Sequence, residues 1–531
     1  MRSRMLRWAL WFLVIIAAAV AMFWIADRLA ESFVRGQLDA MAERGCAVID
    51  RNVPPHVDVD LLRGSFRISG VSMIAALDCS TAAMQFSGTL DTVVVTGISL
   101  HKALFQHCIS ADSFMFRSAG VRITMGPDSL KQPLTDKLTN DADPWSFAVA
   151  AFEIDLGPTT YLNASGDSMA TCGKGVAMSG QEMNFAPASN GRRPSFRVDH
   201  LKMSTDSIKA VLKGGYAWAI RTCALDQRSG TFAVYDALVG PVLEMEEHSK
   251  RLKYETDVIE ARIDTILLAG VGLDNVFSDG VISLGRATIM HGDVTVLRDK
   301  TLQDGPSVEQ ALLARLVRKL PIGSHVDTII VARVDARYRE RADHARGYAM
   351  IPFGQIRATM TGLGNVIGDT AALVIRATCT AFDDTPVAMV LRSVVQDTMD
   401  RFELDASIGK LNFLALNKAT GPLMDVRATS GRIDTVLMHM DADRLRAKGR
   451  VRMAYHDLKL ASGGKKRKEP LNMMKTVALN TLVQNDNLDK GGPRPGKFAF
   501  ERRQDRAVFN YMWSGLREGT KAILLPEVLT R

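Results

Sequence analysis

The chain has 531 residues, of which 47% are hydrophobic and 23% are charged. That composition is typical of an ordinary folded protein and excludes a chain too polar to bury a core. The formal net charge is +8, and the excess of basic residues lies near the C-terminus. Residues 441–531 contain 20 Lys+Arg and 10 Asp+Glu, whereas residues 1–440 contain 46 Lys+Arg and 48 Asp+Glu.

The first predicted element is a transmembrane helix over residues 8–26. This run of 19 uncharged residues would form a helix of about 28 Å, close to the thickness of a bilayer core. Three arginines in the tail 1–7 predict a cytoplasmic N-terminus, with the rest of the chain across the membrane. Trp8, Trp11 and Trp24 lie near the ends of the run and are candidate membrane contacts.

A cleaved signal peptide is the alternative, because Ala19-Val20-Ala21 has the small residues of a cleavage site. Cleavage there would leave apolar residues at the new N-terminus, which favours a retained anchor. Leu29, Phe33, Leu38 and Met41 follow at near-helical spacing. We therefore predict an amphipathic stalk helix over residues 27–45.

Residues 46–460 are predicted to be mainly β-strand. Apolar and polar residues alternate most clearly in three segments, 330–338, 401–408 and 449–455. A period of two over such lengths gives each strand one apolar and one polar face. No Pro-, Ser- or Gly-rich linker interrupts the region, so we predict one elongated architecture.

Helices are predicted to be few. A Ser-x-x-Gln capping box at Ser307 and an apolar stripe predict a helix over 307–320, and further helices are predicted over 473–482 and 505–525. The last has apolar residues on one side, including Phe509 and Trp513, which predicts either an interfacial helix that contacts the membrane or a helix docked on the sheet.

The C-terminal region 461–531 also contains a basic loop, which is either a membrane contact or a solvated turn. Its cations are Lys465, Lys466, Arg467 and Lys468.

The chain lacks the sequence signatures of catalysis. Neither a G-x-S-x-G elbow nor an H-E-x-x-H motif is present. Residues 491–497 match the spacing of a phosphate loop, but Pro493 and Pro495 remove amides that the cradle requires. His101, His107 and Cys108 are an incomplete ligand set. We therefore predict no enzyme activity, no cofactor and no metal.

The six cysteines do not define a site. Their spacings match no zinc or redox motif, and six thiols allow 15 full pairings, so either disulfides or small buried side chains are consistent with the sequence. They are Cys46, Cys79, Cys108, Cys172, Cys223 and Cys379.

Segments near both ends of the chain resemble those of AsmA-like envelope proteins. At the start these are the arginine-flanked apolar span, the segment Leu61–Val71 and the segment Val95–Leu100, which leads to Asp112-Ser113-Phe114. At the end they are Tyr455-His456-Asp457-Leu458-Lys459 and the region from Phe509 to Gly519.

The resemblance implies a protein anchored in the inner membrane by a single span, with its bulk in the periplasm of a Gram-negative cell. It also implies an elongated antiparallel sheet curled into a taco-like groove that holds phospholipid acyl chains. On this interpretation the partners are phospholipids and the inner membrane, not nucleic acid. The candidate groove residues are Ile330, Ala332, Val334, Phe402, Leu404, Ala406, Ile408, Val451, Met453 and Tyr455.

Two other classes of function stay open. One is an envelope scaffold that assists outer-membrane protein assembly through contacts with an outer-membrane or periplasmic protein, with the sheet closed over an ordinary core. The other is a hydrolase with a degenerate active site. Bound lipid would distinguish a lipid carrier from the envelope scaffold. Activity on generic esters would test for the hydrolase.

Overall fold

The computed structural model describes most of the chain after residue 55. The described residues are 27–32, 35–36, 56–76, 84–106, 108–125, 146–163, 168–186, 195–212, 214–272, 281–320, 323–342, 347–366, 372–382, 384–424, 426–462, 480, 483–487 and 492–525. The predicted transmembrane helix 8–26 lies outside them, whereas 27–32 and 35–36, in the predicted stalk, are helical. Within the described residues, no helix is both long and apolar enough to cross a membrane.

The fold is mainly β, as predicted, and divides into two compact units. The first contains residues 1–212 and 219–232, and the second contains residues 213–218 and 233–531. The predicted β region 46–460 therefore includes strands of both units.

The described residues of the first unit lie mostly in strands. Its elements are β1 (His56–Asp60), β2 (Ser65–Ala76), β3 (Met84–Thr96), α1 (Leu100–Gln106), β4 (Cys108–Met125), β5 (Ser146–Asp155), β6 (Thr159–Leu162), β7 (Ser168–Cys172), β8 (Val176–Ala186) and β9 (Ser195–Leu212). Two further strands, β10 (Tyr216–Asp226) and β11 (Thr231–Pro241), contribute residues to both units.

Cross-strand pairing in the first unit aligns apolar residues across six strands. Strands β1 to β4 pair antiparallel, β4 pairs parallel with β5, and β8 pairs antiparallel with β5 and β9. Directly paired residues lie on the same face of a sheet. One such row is Ile68, Val93, Phe116, Ile154, Met178 and Met203, all half-buried.

Among the described residues, the second unit contains the longest strands and most of the helices. Its elements are α2 (Met245–Lys250), β12 (Asp257–Gly272), β13 (Val281–Asp299), α3 (Leu313–Arg318), β14 (Gly323–Arg341), β15 (Ala349–Gly364), β16 (Ala372–Ala381), β17 (Thr385–Val394), β18 (Phe402–Ile408), β19 (Leu411–Asn412), a 3₁₀ helix (Phe413–Leu416), α4 (Asn417–Met424), β20 (Val426–Ala442), β21 (Arg446–Ser462), β22 (Pro495–Glu501) and α5 (Val508–Leu524).

Strands β12 to β18 pair in chain order, β18 then pairs with β20, and β21 and β22 follow. All of these pairs are antiparallel except β13–β14. A parallel pair requires a crossover connection, which here includes α3.

Two of the predicted helices can be compared with the structure. The one over 505–525 is confirmed as α5 (Val508–Leu524). The one over 307–320 is shorter than predicted, because only α3 is helical. The backbone N–H of Gln310 donates to the carbonyl of Gln504, so a tertiary contact replaces the first helical turns. The region 473–482 lies outside the described residues except for residue 480.

Candidate functional site

One face of the sheet in the second unit is apolar across its full width. A first row of paired residues crosses ten strands, from β12 to β22. Its members are Leu268, Ala287, Ile329, Met360, Ile375, Leu391, Leu404, Met440, Gly449 and Phe498. A second row lies two residues away on the same face. Its members are Ile266, Ile289, Val331, Ala358, Ala377, Met389, Ala406, Met438, Val451 and Gly496.

The β17–β22 part of this face, which we call the covered segment, is covered by α5 together with Leu312 and Phe413, which belong to the same buried cluster. Gly496 and Gly519 allow the closest approach, since a Cβ built on Gly496 would lie 2.0 Å from the carbonyl oxygen of Gly519. The ring of Tyr511 packs edge-on against Phe402, with centroids 6.0 Å apart. In this segment Leu391, Leu404, Met440 and Val451 are at most 2% exposed, so the segment is a closed core.

The β12–β16 part of the same face, which we call the open segment, is mostly half-buried, although Val334 is buried, α3 and α4 lie against β15, and Ile375 packs against the core of the covered segment. Ile289, Ile329, Val331, Met360 and Ile375 all belong to the two rows, yet none is fully buried among the described residues.

The first row changes from half-buried to completely buried between Ile375 of β16 and Leu391 of β17. In the second row Met389 and Ala406 are still half-buried, and the buried residues begin at Met438 of β20. Non-polar area remains on the open segment for a ligand to cover.

Two aromatic side chains of α5 mark the boundary between the segments. Phe509 packs edge-on against Phe353 of β15, with ring centroids 6.4 Å apart. Phe509 and Trp513 are nevertheless 48% and 47% exposed. They follow one another on the helix surface at a spacing of four residues, so α5 presents an aromatic edge beside the open segment.

The sheet of the second unit is curled. Nine pairings separate β12 from β22, which would be about 43 Å in a flat sheet at ~4.8 Å per pairing. Arg506, five residues after β22, nevertheless lies 3.0 Å from Glu255, two residues before β12. Five residues of extended chain span at most about 17 Å. The sheet must therefore be curled, so that β12 and β22 lie closer together than they would in a flat sheet.

Buried charges hold this approach together. Glu255 accepts a hydrogen bond from Arg506 at 3.0 Å and forms an ion pair with Arg298 at 3.1 Å, and its side chain is 7% exposed. Arg298 also lies 3.0 Å from Asp257, and burial raises the pKa of that carboxyl. Removing one member of such a buried set leaves an uncompensated charge, so the network fixes where the two ends of the sheet meet.

Five of the candidate groove residues lie in the covered segment, not on an open surface. Phe402, Leu404, Val451, Met453 and Tyr455 are between 0% and 8% exposed. Protein atoms already occupy the space in front of them, as the Tyr455 hydroxyl illustrates: it donates to the carbonyl of Gln484 at 2.9 Å, and burial raises its pKa to about 12. Ala406 and Ile408 are on the same face and half-buried.

Ile330 lies on the polar face of the sheet, not on the apolar face where it was predicted. It pairs with Thr288 and Thr359, in a row that continues to Asp405 on the polar face. The even positions from Ala336 onward do lie on the apolar face, because a register irregularity between Val331 and Val334 changes the alternation. Val334 is on the apolar face and buried, while Ala332 lies within the irregularity and is half-buried.

The open segment was missed because its apolar residues are not distinguished by the sequence. Four consecutive residues, Ile329 to Ala332, are apolar, so alternation alone does not say which belong to the inner row. The candidate membrane contacts Trp8, Trp11 and Trp24, and the basic loop Lys465, Lys466, Arg467 and Lys468, lie outside the described residues.

The polar face of the same strands carries an ion-pair network. His439 Nδ1 lies 2.8 Å from Asp405 and 3.9 Å from Glu403, and Arg392 lies 3.0 Å from Asp405. The hydrogen bond from His439 lowers the pKa of Asp405. Glu403, Asp405 and His439 have ligand atoms within 4.8 Å of one another, but Arg392 already contacts the two carboxylates. Internal ion pairing accounts for this group.

The four described cysteines, Cys108, Cys172, Cys223 and Cys379, are free thiols. Burial raises the pKa of Cys223 and Cys379. Neither therefore has the lowered pKa that is typical of a reactive cysteine.

Comparison with known proteins adds little to this geometry. No protein-family model matches the chain, and no curated protein matches it. Among solved structures it is similar to the crystal structure of Acinetobacter baumannii OccAB3, at 6% identity and a TM-score of 0.14, covering 83% of this chain and 92% of that chain. A likeness at that score carries no argument about fold or function.

Proposed function

We propose that this protein is a non-enzymatic phospholipid carrier of the cell envelope, whose second unit holds acyl chains against the open segment. The observation that carries the proposal is the change along the two apolar rows from completely buried side chains to half-buried ones. Acyl chains would be held by non-directional burial, worth roughly 0.8 kcal/mol per methylene. Such binding needs no nucleophile, metal or cofactor.

Three further features support the proposal. The row of half-buried residues from Ile68 to Met203 gives the first unit a similar apolar face. A sheet curled with its apolar side inward would form a trough, as the AsmA-like resemblance leads us to expect. The N-terminal apolar run 8–26 would anchor the chain in the inner membrane, with the remainder in the periplasm.

The proposal predicts different photo-cross-linking at two adjacent residues. A photoreactive side chain at Val331, on the open segment, should form adducts with phospholipid, while the same side chain at Ile330 should form none above background. The pair is matched because neighbouring residues of a strand point to opposite faces. The measurement is mass spectrometry of adducts from the full chain, cross-linked in cells.

Native mass spectrometry of the full chain with lipid extraction completes the test. Phospholipids released on denaturation, together with adducts at 331 alone, would support the carrier. A folded chain without lipid and without adducts at 331 would contradict it and favour the envelope scaffold. Equal adducts at both positions would show contact with membrane in general and would also contradict a specific trough.

A further inference from the structure

We infer that the polar face of β21 and β22 is a docking surface for an anionic bilayer, independent of the proposed trough. Four cations define it: Lys448, Arg450 and Arg452 on β21, and Lys497 on β22. They occupy alternate or paired positions, so all four lie on the same face, and all four are exposed. We call this set the basic patch.

The basic patch contains a repulsion that no carboxylate relieves. Arg450 and Lys497 are directly paired across the two strands, and like charges in that position destabilise a sheet. On its other side Arg450 is paired with His439, which is already engaged by Asp405 at 2.8 Å. None of the four cations forms an ion pair with any described residue.

Two cross-strand pairs of acidic residues in the same sheet, unlike the Arg450–Lys497 pair, have a side chain of opposite charge nearby. Glu403 is paired with Asp441, but Arg392 lies 3.9 Å from Glu403 and His439 lies 3.7 Å from Asp441. Asp293 and Asp335 are also paired, and Arg337 lies 3.4 Å from Asp293. The fold therefore neutralises its acidic pairs from within and leaves the Arg450–Lys497 pair for an external anion.

An anionic bilayer fits this surface better than a nucleic acid. Leu437 is paired with Arg452 on the same face and is 48% exposed, which gives the patch an apolar side chain that can enter a lipid interface. All four cations are exposed, so the patch can contact several phosphate groups of a bilayer surface at once.

The test keeps the full chain soluble in zwitterionic nanodiscs and measures its flotation with separate vesicles. These vesicles contain phosphatidylcholine alone or an equal mixture with phosphatidylglycerol. We expect binding to the mixed vesicles only, falling as salt rises. The double variant Arg450→Gln/Lys497→Gln should bind about 30-fold more weakly, at roughly 1 kcal/mol per cation.

The matched control is Arg286→Gln/Arg376→Gln, which removes two exposed arginines, on β13 and β16, and changes the net charge equally. It should bind as the unsubstituted chain does. If both double variants bind the mixed vesicles equally weakly, net charge rather than the basic patch determines binding, and the inference is overturned. Binding to plain phosphatidylcholine vesicles, or to a DNA duplex in preference to mixed vesicles, would also overturn it. Circular dichroism is expected to show both variants folded, because the first removes a repulsion.

Discussion

Replacing Leu404 with aspartate is expected to abolish the cooperative folding of the second unit. Leu404 is 2% exposed and is paired with Leu391 and Met440, both also completely buried. Truncating a buried leucine to alanine costs about 2–5 kcal/mol, and an unpaired buried carboxylate adds to that cost. A total stability of about 5–15 kcal/mol leaves little after such a loss.

The measurement is chemical denaturation followed by circular dichroism, with Ser407→Asp as the matched control. Ser407 is on the same strand but pairs with Ala388 and Leu437 on the polar face. The control should unfold at nearly the same denaturant concentration as the unsubstituted chain. A Leu404→Asp variant that folds normally and merely loses lipid would contradict the closed core and return Leu404 to the trough.

The second prediction concerns the contact that keeps α5 on the sheet. Replacing Gly496 with valine should lift the helix, because the first added carbon would lie 2.0 Å from the backbone oxygen of Gly519. A backbone atom cannot rotate away, so β22 or α5 must move. Overpacking of a core costs about 1–3 kcal/mol, and lifting α5 also exposes Tyr511 and Ile523, which are now at most 2% exposed.

Hydrogen exchange read by mass spectrometry would measure this effect. Peptides from α5 should exchange much faster in Gly496→Val, while those from β12 and β13 should change little. Gly347→Val is the control, since a Cβ at Gly347 would have no heavy atom within 4 Å. Unchanged protection of α5 would show that the sheet yields instead of the helix.

The same variant connects the fold to the proposed function. If α5 limits the trough by filling the β17–β22 part of the apolar face, then displacing it should lengthen the surface open to acyl chains. We therefore expect more phospholipid per chain in Gly496→Val than in the unsubstituted protein. This increase depends on the proposed function, whereas the change in hydrogen exchange does not.

Much of the strand structure could be predicted because side-chain alternation is a local property. Phe402, Leu404, Ala406 and Ile408 alternate with polar residues, and the structure places them on one face. The helix over 505–525 was equally visible, since an apolar stripe with helical spacing needs no information from elsewhere in the chain. Its sequence left two roles open, and packing of Tyr511 against Phe402 shows docking on the sheet.

The candidate site was harder to locate because burial depends on residues that are distant in the chain. Leu404 and Ile329 belong to the same paired row and have similar apolar side chains, yet one is completely buried and the other is not. The difference arises because the covered segment lies beneath α5, more than a hundred residues further along. Ile330 was placed on the wrong face because a register irregularity shifts the alternation within an apolar run.

The sequence alone determined that the protein is mainly β, that its strands have one apolar face, and that its basic excess lies near the C-terminus. Each of these follows from local spacing or from a count. Only the tertiary structure decided which part of that face is open, because two glycines let α5 touch β22 and because Glu255 and Arg506 meet across a curled sheet. Such contacts join residues separated by up to 251 positions, and no local pattern encodes them.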